Sequence, residues 1–136
     1  MFKPYNLFVY GTLREGCGNH RWLGGAEKVD KARLLGYRMY SCYGFPAIVK
    51  GEGSVVGEIY RIETEDQQRS VDSLEGYDRG GNDNTFYDVD VVNPVIGLGS
   101  QGESTKECEV YVFKEWTDGE DSYVPSGDWV KHGNRF

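Results

Sequence analysis

Residues 7–16, LFVYGTLREG, constrain the fold most, because four apolar or aromatic residues are stopped at once by a glycine. A run of this length that ends at glycine is typical of a short buried strand rather than a helix. Gly11 is expected to permit a sharp turn, since glycine adopts backbone angles that are closed to other residues. Such a turn can direct several backbone amides into one concavity, where they hold a carboxylate, a phosphate or a developing oxyanion. The pattern therefore predicts either an anion-binding loop or simply the end of a strand.

Length and composition favour one domain, residues 1–136, rich in sheet. A chain of 136 residues can bury a single core, and ten tyrosines, three tryptophans and 19 glycines suggest a twisted sheet with tight turns. Three widely spaced cysteines, Cys17, Cys42 and Cys108, argue against a disulfide framework and suit a reducing compartment. Residues 1–6 lack the features of a signal peptide and no stretch reaches the length of a membrane span, so a cytoplasmic protein without a membrane partner is expected.

The net charge of -7 is unevenly distributed. Residues 1–50 carry eight Lys or Arg against three Asp or Glu, whereas residues 51–136 carry seven against nineteen. The basic part contains the glycine loop, so its field either favours a small anionic substrate or reflects a solvated surface that is merely lopsided. The acidic remainder argues against nucleic acid as a partner.

Extended segments dominate the first half of the chain. Strands are predicted over residues 7–10, 32–35, 37–43, 45–49 and 54–62, and again over 87–92 and 108–113. A helical turn is expected over residues 19–23, ended by Gly24. Gly57 lies within a predicted strand and indicates a bulge or a close approach of another backbone.

The clearest helix signal covers residues 64–74. Thr64 and Gln67 have the spacing of a capping box, and Gly76 supplies the C-terminal stop. Glu75 then lies at the C-terminal end, where the helix dipole disfavours an acidic residue. If it is partly desolvated there, its pKa rises towards that of a useful general base; an exposed glutamate would feel little of this.

Five segments occur in an order that resembles the gamma-glutamylcyclotransferase-like family. They are LFVYGTLREGCGNH, FPAIV, VVGEIYRI, VDSLEGYD and PSGDW, and they extend over nearly the whole chain. The likeness is greatest to the gamma-glutamylamine cyclotransferase branch, which is related to the plant AIG2-like proteins. Many relatives carry an Arg two positions after a strand Tyr, whereas here Val89 holds that position after Tyr87.

The resemblance implies an α+β fold, a small mixed β-barrel with a few packed helices. It also implies that Tyr10, Gly11, Thr12 and Leu13 bind substrate and that Glu75 is the catalytic acid/base. The implied reaction is the cyclisation of a gamma-glutamyl amine or peptide to 5-oxoproline with release of the amine. The alternative is a catalytically idle module that keeps the pocket to bind a small ligand or a protein.

Other constellations are weaker. Cys17 and His20 could suggest a thiol nucleophile, but both lie in a glycine-rich loop without an identifiable orienting carboxylate. The chain lacks the spacings of common metal sites, and GTLREG lacks the ending of a phosphate loop, so neither metal nor cofactor is expected. Residues 78–85 read as a loop that could act as a lid. The sequence does not indicate the oligomeric state.

Overall fold

The computed structural model describes residues 2–42, 44–80, 87–97, 104–113 and 122–133. Its elements, in chain order, are β1 (Tyr5–Val9), a short 3-10 helix (His20–Leu23), β2 (Glu27–Cys42), β3 (Phe45–Ile62), α1 (Glu65–Glu75), β4 (Tyr87–Val92), β5 (Val95–Ile96), β6 (Ser104–Thr105) and β7 (Cys108–Phe113).

The strands form one mixed sheet in the order β4, β7, β1, β3, β2, β5, β6. β1 runs antiparallel to β3 and parallel to β7, and β2 and β3 form a long antiparallel hairpin. The sheet curls into a half-barrel against which α1 packs. The predicted α+β class is confirmed.

Side chains that alternate along β1 divide the core between the two faces of the sheet, as the pleat requires. Leu7 and Val9 pack with Val71 of α1 on one face. Phe8 points the other way, into a cluster that includes Ile59 and the fully buried Trp129. β1 is thus held from both sides, which fixes the place where the chain leaves it.

β2 and β3 are each longer than predicted. The breaks predicted between residues 35 and 37 and between residues 49 and 54 contain glycines, and in the structure these glycines lie inside the strands. Gly36 has a φ of 85° at a register shift between Leu35 and Tyr37, so it bends β2 without ending it. Gly51 lies within β3, where an added β-carbon would stand 2.8 Å from Cδ of Arg38. Gly36 therefore allows a β-bulge, and Gly51 allows the Arg38 side chain to pack against the backbone of β3; neither forms a turn.

α1 agrees with its prediction to within one residue at each end. The Thr64 side chain accepts from the Gln67 amide, and the Gln67 side chain accepts in return from the Thr64 amide. Gly76 ends the helix in the left-handed conformation, with a φ of 66°. Glu75 is therefore the last helical residue. No helix in the described ranges is long and apolar enough to cross a membrane.

Candidate active site

A cavity of about 510 Å³ opens where the chain leaves β1. Its wall is formed by Phe8, Val9, Tyr10, Gly11, Thr12, Leu13, Asn19, Phe45, Pro46, Leu74, Glu75, Tyr87 and Tyr111. The five residues singled out in the sequence, four from the glycine loop and one from the end of α1, are all among them. Two stretches more than 60 residues apart in the chain thus meet at one cavity.

Gly11, Thr12 and Leu13 present backbone amides that donate to no backbone carbonyl in the part of the chain that the structure describes. The carbonyls of Gly11 and Thr12 are engaged, accepting from the amides of Arg14 and Asn19 at 3.0 Å. The turn therefore uses the carbonyls of Gly11 and Thr12 for bonds within the loop and leaves the three amides without a backbone partner among the described residues. Such donors suit an anionic oxygen, because they act without reorganising.

Gly11 is needed for a reason other than the expected one. Its φ is not positive, so the turn demands no special backbone angle there. Instead, an added β-carbon would stand 2.5 Å from Cγ of Pro46, whose ring closes over the loop. The glycine is required by close packing, and the expectation of unusual backbone angles at Gly11 is wrong.

Two side chains from the following segment fix the loop. Asn19 donates from Nδ2 to the Thr12 hydroxyl at 2.8 Å. His20 Nδ1 lies 2.9 Å from the Leu13 carbonyl oxygen, so this nitrogen carries the ring proton. The 3-10 helix thereby positions the loop beside the cavity.

A buried ion cluster fixes the next part of the loop. Arg14 donates from Nε to Glu58 at 3.1 Å and from Nη1 to Asp128 at 2.8 Å, and Glu58 also accepts from the Glu15 amide and the Tyr60 hydroxyl. Burial works to raise the pKa of Glu58, but these hydrogen bonds and the Arg14 charge outweigh it and lower that pKa. The positive charge of Arg14 is therefore paired with two carboxylates, those of Glu58 and Asp128.

Tyr10 joins the loop to the opposite wall of the cavity. Its hydroxyl donates to the Tyr111 carbonyl at 2.7 Å, and both residues are buried. Burial first, and then the nearby Tyr87 and Glu75, raise the pKa of Tyr10 well above its usual value. Tyr10 is thus a protonated donor at neutral pH.

Glu75 supplies the one charged side chain among the described residues that line the cavity. Its pKa is raised to about 7, first by burial and then by the negative charge of Asp72. Burial was expected to have this effect, whereas Asp72 was missed, although its position three residues earlier on one helix places the two side chains on the same face. A carboxyl group with such a pKa can both accept and donate a proton at neutral pH.

Several wall residues were not predicted as part of the site, namely Asn19, Phe45, Pro46, Tyr87 and Tyr111. Tyr87 and Tyr111 were assigned only to strands, because alternation along a strand identifies its faces and not the cavity they border. The ring centroids of these two tyrosines lie 6.3 Å apart, edge to face. The predicted lid, residues 78–85, lies outside the described residues from position 81 onward.

The alternative thiol site gains little from the geometry. Cys17 is buried, which suits a structural cysteine better than a nucleophile. His20 is engaged with the Leu13 carbonyl. Within the described ranges, no three His, Cys, Asp or Glu side chains are grouped so that they could hold a metal ion.

Comparison with known proteins identifies the family. A model of the family "Gamma-glutamyl cyclotransferase, AIG2-like" matches residues 7–131. The chain belongs to this family. The matched range begins at Leu7, the first buried residue of β1, and includes both the glycine loop and Glu75.

Relatives and solved structures agree with membership of the cyclotransferase family. The chain is 31% identical over 124 residues to the gamma-glutamylcyclotransferase family protein YtfP of Escherichia coli, covering 91% of this chain and 95% of YtfP. It is 37% identical over 89 residues to the gamma-L-glutamyl-butirosin B gamma-glutamyl cyclotransferase of Niallia circulans, covering 65% of this chain and 56% of that protein.

Two crystal structures share the fold of this family member. An uncharacterized protein from Pyrococcus horikoshii has a TM-score of 0.68 at 26% identity, covering 94% of this chain and 92% of the other. An AIG2-like protein from Mus musculus has a TM-score of 0.70 at 22% identity, covering 99% and 96%. The second likeness concerns the fold alone.

Proposed function

We propose that this protein is a gamma-glutamyl cyclotransferase, which cyclises the glutamyl part of a gamma-glutamyl amine or peptide to 5-oxoproline and releases the amine. The observation that carries the proposal is that Gly11, Thr12 and Leu13, whose amides have no backbone partner among the described residues, line the same cavity as Glu75, whose pKa is raised to about 7. Family membership and the activity for which the Niallia circulans relative is named support the same reaction.

The reaction needs no enzyme nucleophile, because the substrate contains its own. The α-amine attacks the γ-carbonyl carbon, a carbon–nitrogen bond forms, and a five-membered ring with a tetrahedral oxyanion results. The oxyanion then collapses and the original amide bond breaks, which expels the amine. The enzyme has to hold the bent substrate, move protons from the α-nitrogen to the leaving nitrogen and stabilise the oxyanion.

Glu75 would move the proton. As a carboxylate it accepts a proton from the substrate α-ammonium, which frees the amine to attack, and it then returns that proton to the leaving nitrogen. The attack leaves a second surplus proton on the ring nitrogen, and the regenerated carboxylate passes this proton to the released amine, which departs as an ammonium ion. A pKa of about 7 suits both steps, since the group is neither too weak a base nor too weak an acid. Its position at the end of a capped helix that packs against the sheet limits its movement.

The amides of Gly11, Thr12 and Leu13 would receive the negative oxygens of the substrate, the α-carboxylate or the oxyanion. No Lys or Arg is among the described residues of the cavity wall, so we assign this role to uncharged donors, of which the backbone amides are the most rigidly placed. Arg14 cannot, because Glu58 and Asp128 already engage it. The cluster instead holds the loop in place while the substrate binds.

The proposal is tested by incubating the protein with gamma-glutamyl amines, gamma-glutamyl dipeptides and glutathione and measuring 5-oxoproline. Glu75→Gln, which keeps the shape and removes the base, should lower kcat by about two to four decades. Glu65→Gln is the matched control, because it makes the same change at the exposed start of the same helix. It should leave turnover at the parental value.

Two results would contradict the proposal. Unchanged 5-oxoproline formation in folded Glu75→Gln would remove Glu75 from the mechanism. A panel that yields no 5-oxoproline, although a gamma-glutamyl compound raises the melting temperature of the protein, would instead favour a binding module that uses the same cavity.

A further inference from the structure

A buried acidic side chain, Asp72, lies beside the cavity wall without lining the cavity. Arg79 donates to it twice, from Nε to Oδ2 and from Nη2 to Oδ1, at 3.0 Å each. The hydroxyl of Tyr111 donates to Oδ1 as well. Burial of a carboxylate requires such partners, because an uncompensated buried charge is strongly destabilising. Three donated hydrogen bonds leave the carboxylate little freedom to move.

The cluster joins the parts of the chain that build the site. Arg79 follows the turn that ends α1 and also donates to Glu109 of β7 at 3.0 Å. Tyr111, on the same strand, lines the cavity with its side chain and accepts from the Tyr10 hydroxyl with its carbonyl. Asp72 thus connects the last turn of α1 to β7 and, through Tyr111, to the glycine loop.

We propose that Asp72, clamped by Arg79 and Tyr111, is a positioning residue that fixes Glu75 at the cavity and governs its proton uptake. The inference rests on the role of Glu75 in the proposed function. Asp72 and Glu75 are three residues apart on one helix, so their side chains are neighbours and two negative charges there oppose each other. A turn of helix fixed against β7 also keeps the Glu75 carboxyl group from swinging out of the cavity.

The other groups that face Glu75 do not supply this effect. The other described titratable groups of the cavity wall are the phenols of Tyr10, Tyr87 and Tyr111, and the guanidinium of Arg79 lies behind the wall on Asp72. Burial raises the pKa of Tyr10 and of Tyr111, so both are neutral where Glu75 titrates. β3 contributes only Phe45 and Pro46 to the wall, and Arg79 is engaged by two carboxylates. Asp72 is therefore the negative charge that opposes ionisation of Glu75.

The first test is Asp72→Asn, which keeps the shape and removes the charge. We expect the rise of kcat/KM with pH, the acid limb of its pH profile, to move to lower pH by about one unit. A carbon-13 NMR titration of the Glu75 carboxyl group, which needs no turnover, should move in the same direction. Asp66→Asn makes the same change on the same helix at a side chain that is 94% exposed, and it should move neither. A folded Asp72→Asn protein with the parental limb and titration would overturn the proposal.

The second test is Arg79→Lys, which keeps the positive charge and loses the two-pronged contact. We expect kcat to fall about tenfold through looser placement of Glu75, with the acid limb unchanged and KM little altered. A parental kcat would overturn the positioning role, and this result decides the matter if Asp72→Asn does not fold. If no gamma-glutamyl compound is turned over, the NMR titration alone decides. A shift in Asp72→Asn then supports the coupling between Asp72 and Glu75 although the proposed function has failed. An unshifted titration refutes both the coupling and the proposed function.

Discussion

The ring of Pro46 packs against Gly11 so closely that its Cγ lies 2.5 Å from the position that a β-carbon of Gly11 would take. Pro46 itself is fixed in β3, paired with Ser41 of β2. The hairpin of β2 and β3 therefore packs against the glycine loop at Gly11, so the hairpin and the loop cannot move independently. A loop that must hold amides in place for an anionic oxygen benefits from such contact.

Gly11→Ala should destabilise the protein by about 1–3 kcal/mol, because the new methyl group must displace the Pro46 ring or the loop. Urea denaturation measures this change, and the KM for the substrate should rise with it. The double variant Gly11→Ala, Pro46→Ala removes the ring atoms that clash, so it should regain part of the loss relative to the sum of the single variants. If the two changes prove strictly additive, contact with Pro46 is not the reason for glycine.

Thr12→Ala should matter less than Gly11→Ala. It removes the hydroxyl that accepts from Asn19, at 2.8 Å, but leaves the Thr12 amide in the wall. We expect a loss of about 1 kcal/mol in the free energy of unfolding and a small rise in KM. Asn19→Ala breaks the same hydrogen bond from the other side, so the two changes together should cost less than their sum. A large fall in kcat with Thr12→Ala alone would mean that the hydroxyl takes part in the reaction.

Glu58→Gln should destabilise the protein by about 2 kcal/mol, since it leaves the half-buried Arg14 with one carboxylate instead of two. Glu63→Gln is the control: its ion pair with Arg61 spans 3.6 Å at the surface and should be worth less than about 1 kcal/mol. Because the folded pKa of Glu58 is lowered, its stabilisation is present above the unfolded value and is lost as pH falls through the folded one. The difference between parent and Glu58→Gln should therefore shrink in acid. Equal costs for the two substitutions would show that the Arg14 cluster does not fix the loop.

The parts of the fold that the sequence predicts are those whose signals are local. The capping box of α1, its glycine stop and the bounds of β4 and β7 depend on neighbours within a few residues, and these predictions are confirmed. The prediction divided β2 and β3 into shorter strands, because in the sequence a glycine that allows a bulge, such as Gly36, looks the same as one that makes a turn. The bulge is apparent only once the partner strand is known.

The same distinction applies to the site. Tyr10 to Leu13 and Glu75 could be singled out because each lies at the marked end of a strand or helix. Asp72 could not be, because its importance depends on Arg79 and on Tyr111 of a distant strand. Pro46 lies inside a strand predicted over residues 45–49, and its contact with Gly11 follows from how the hairpin folds over the loop. Partners brought together by tertiary structure leave no local signal.

Glu75 should lower the stability of the protein at neutral and alkaline pH. Its folded pKa of about 7 lies above the unperturbed value near 4.3, so the folded state keeps a proton that the unfolded state has released between these two values. The free energy of unfolding must therefore fall as pH rises through this window, and the cost is fully present above pH 7. Glu75→Gln cannot ionise, so it should match the parent near pH 4 and unfold at a higher urea concentration at pH 8. Glu65→Gln, at the exposed start of the same helix, loses a surface ion pair with Arg69 and should not unfold at a higher urea concentration than the parent at pH 8. If Glu75→Gln proves less stable than the parent at pH 8, or if its difference does not change between the two values, Glu75 is not held with a raised pKa and loses its main qualification as the general base.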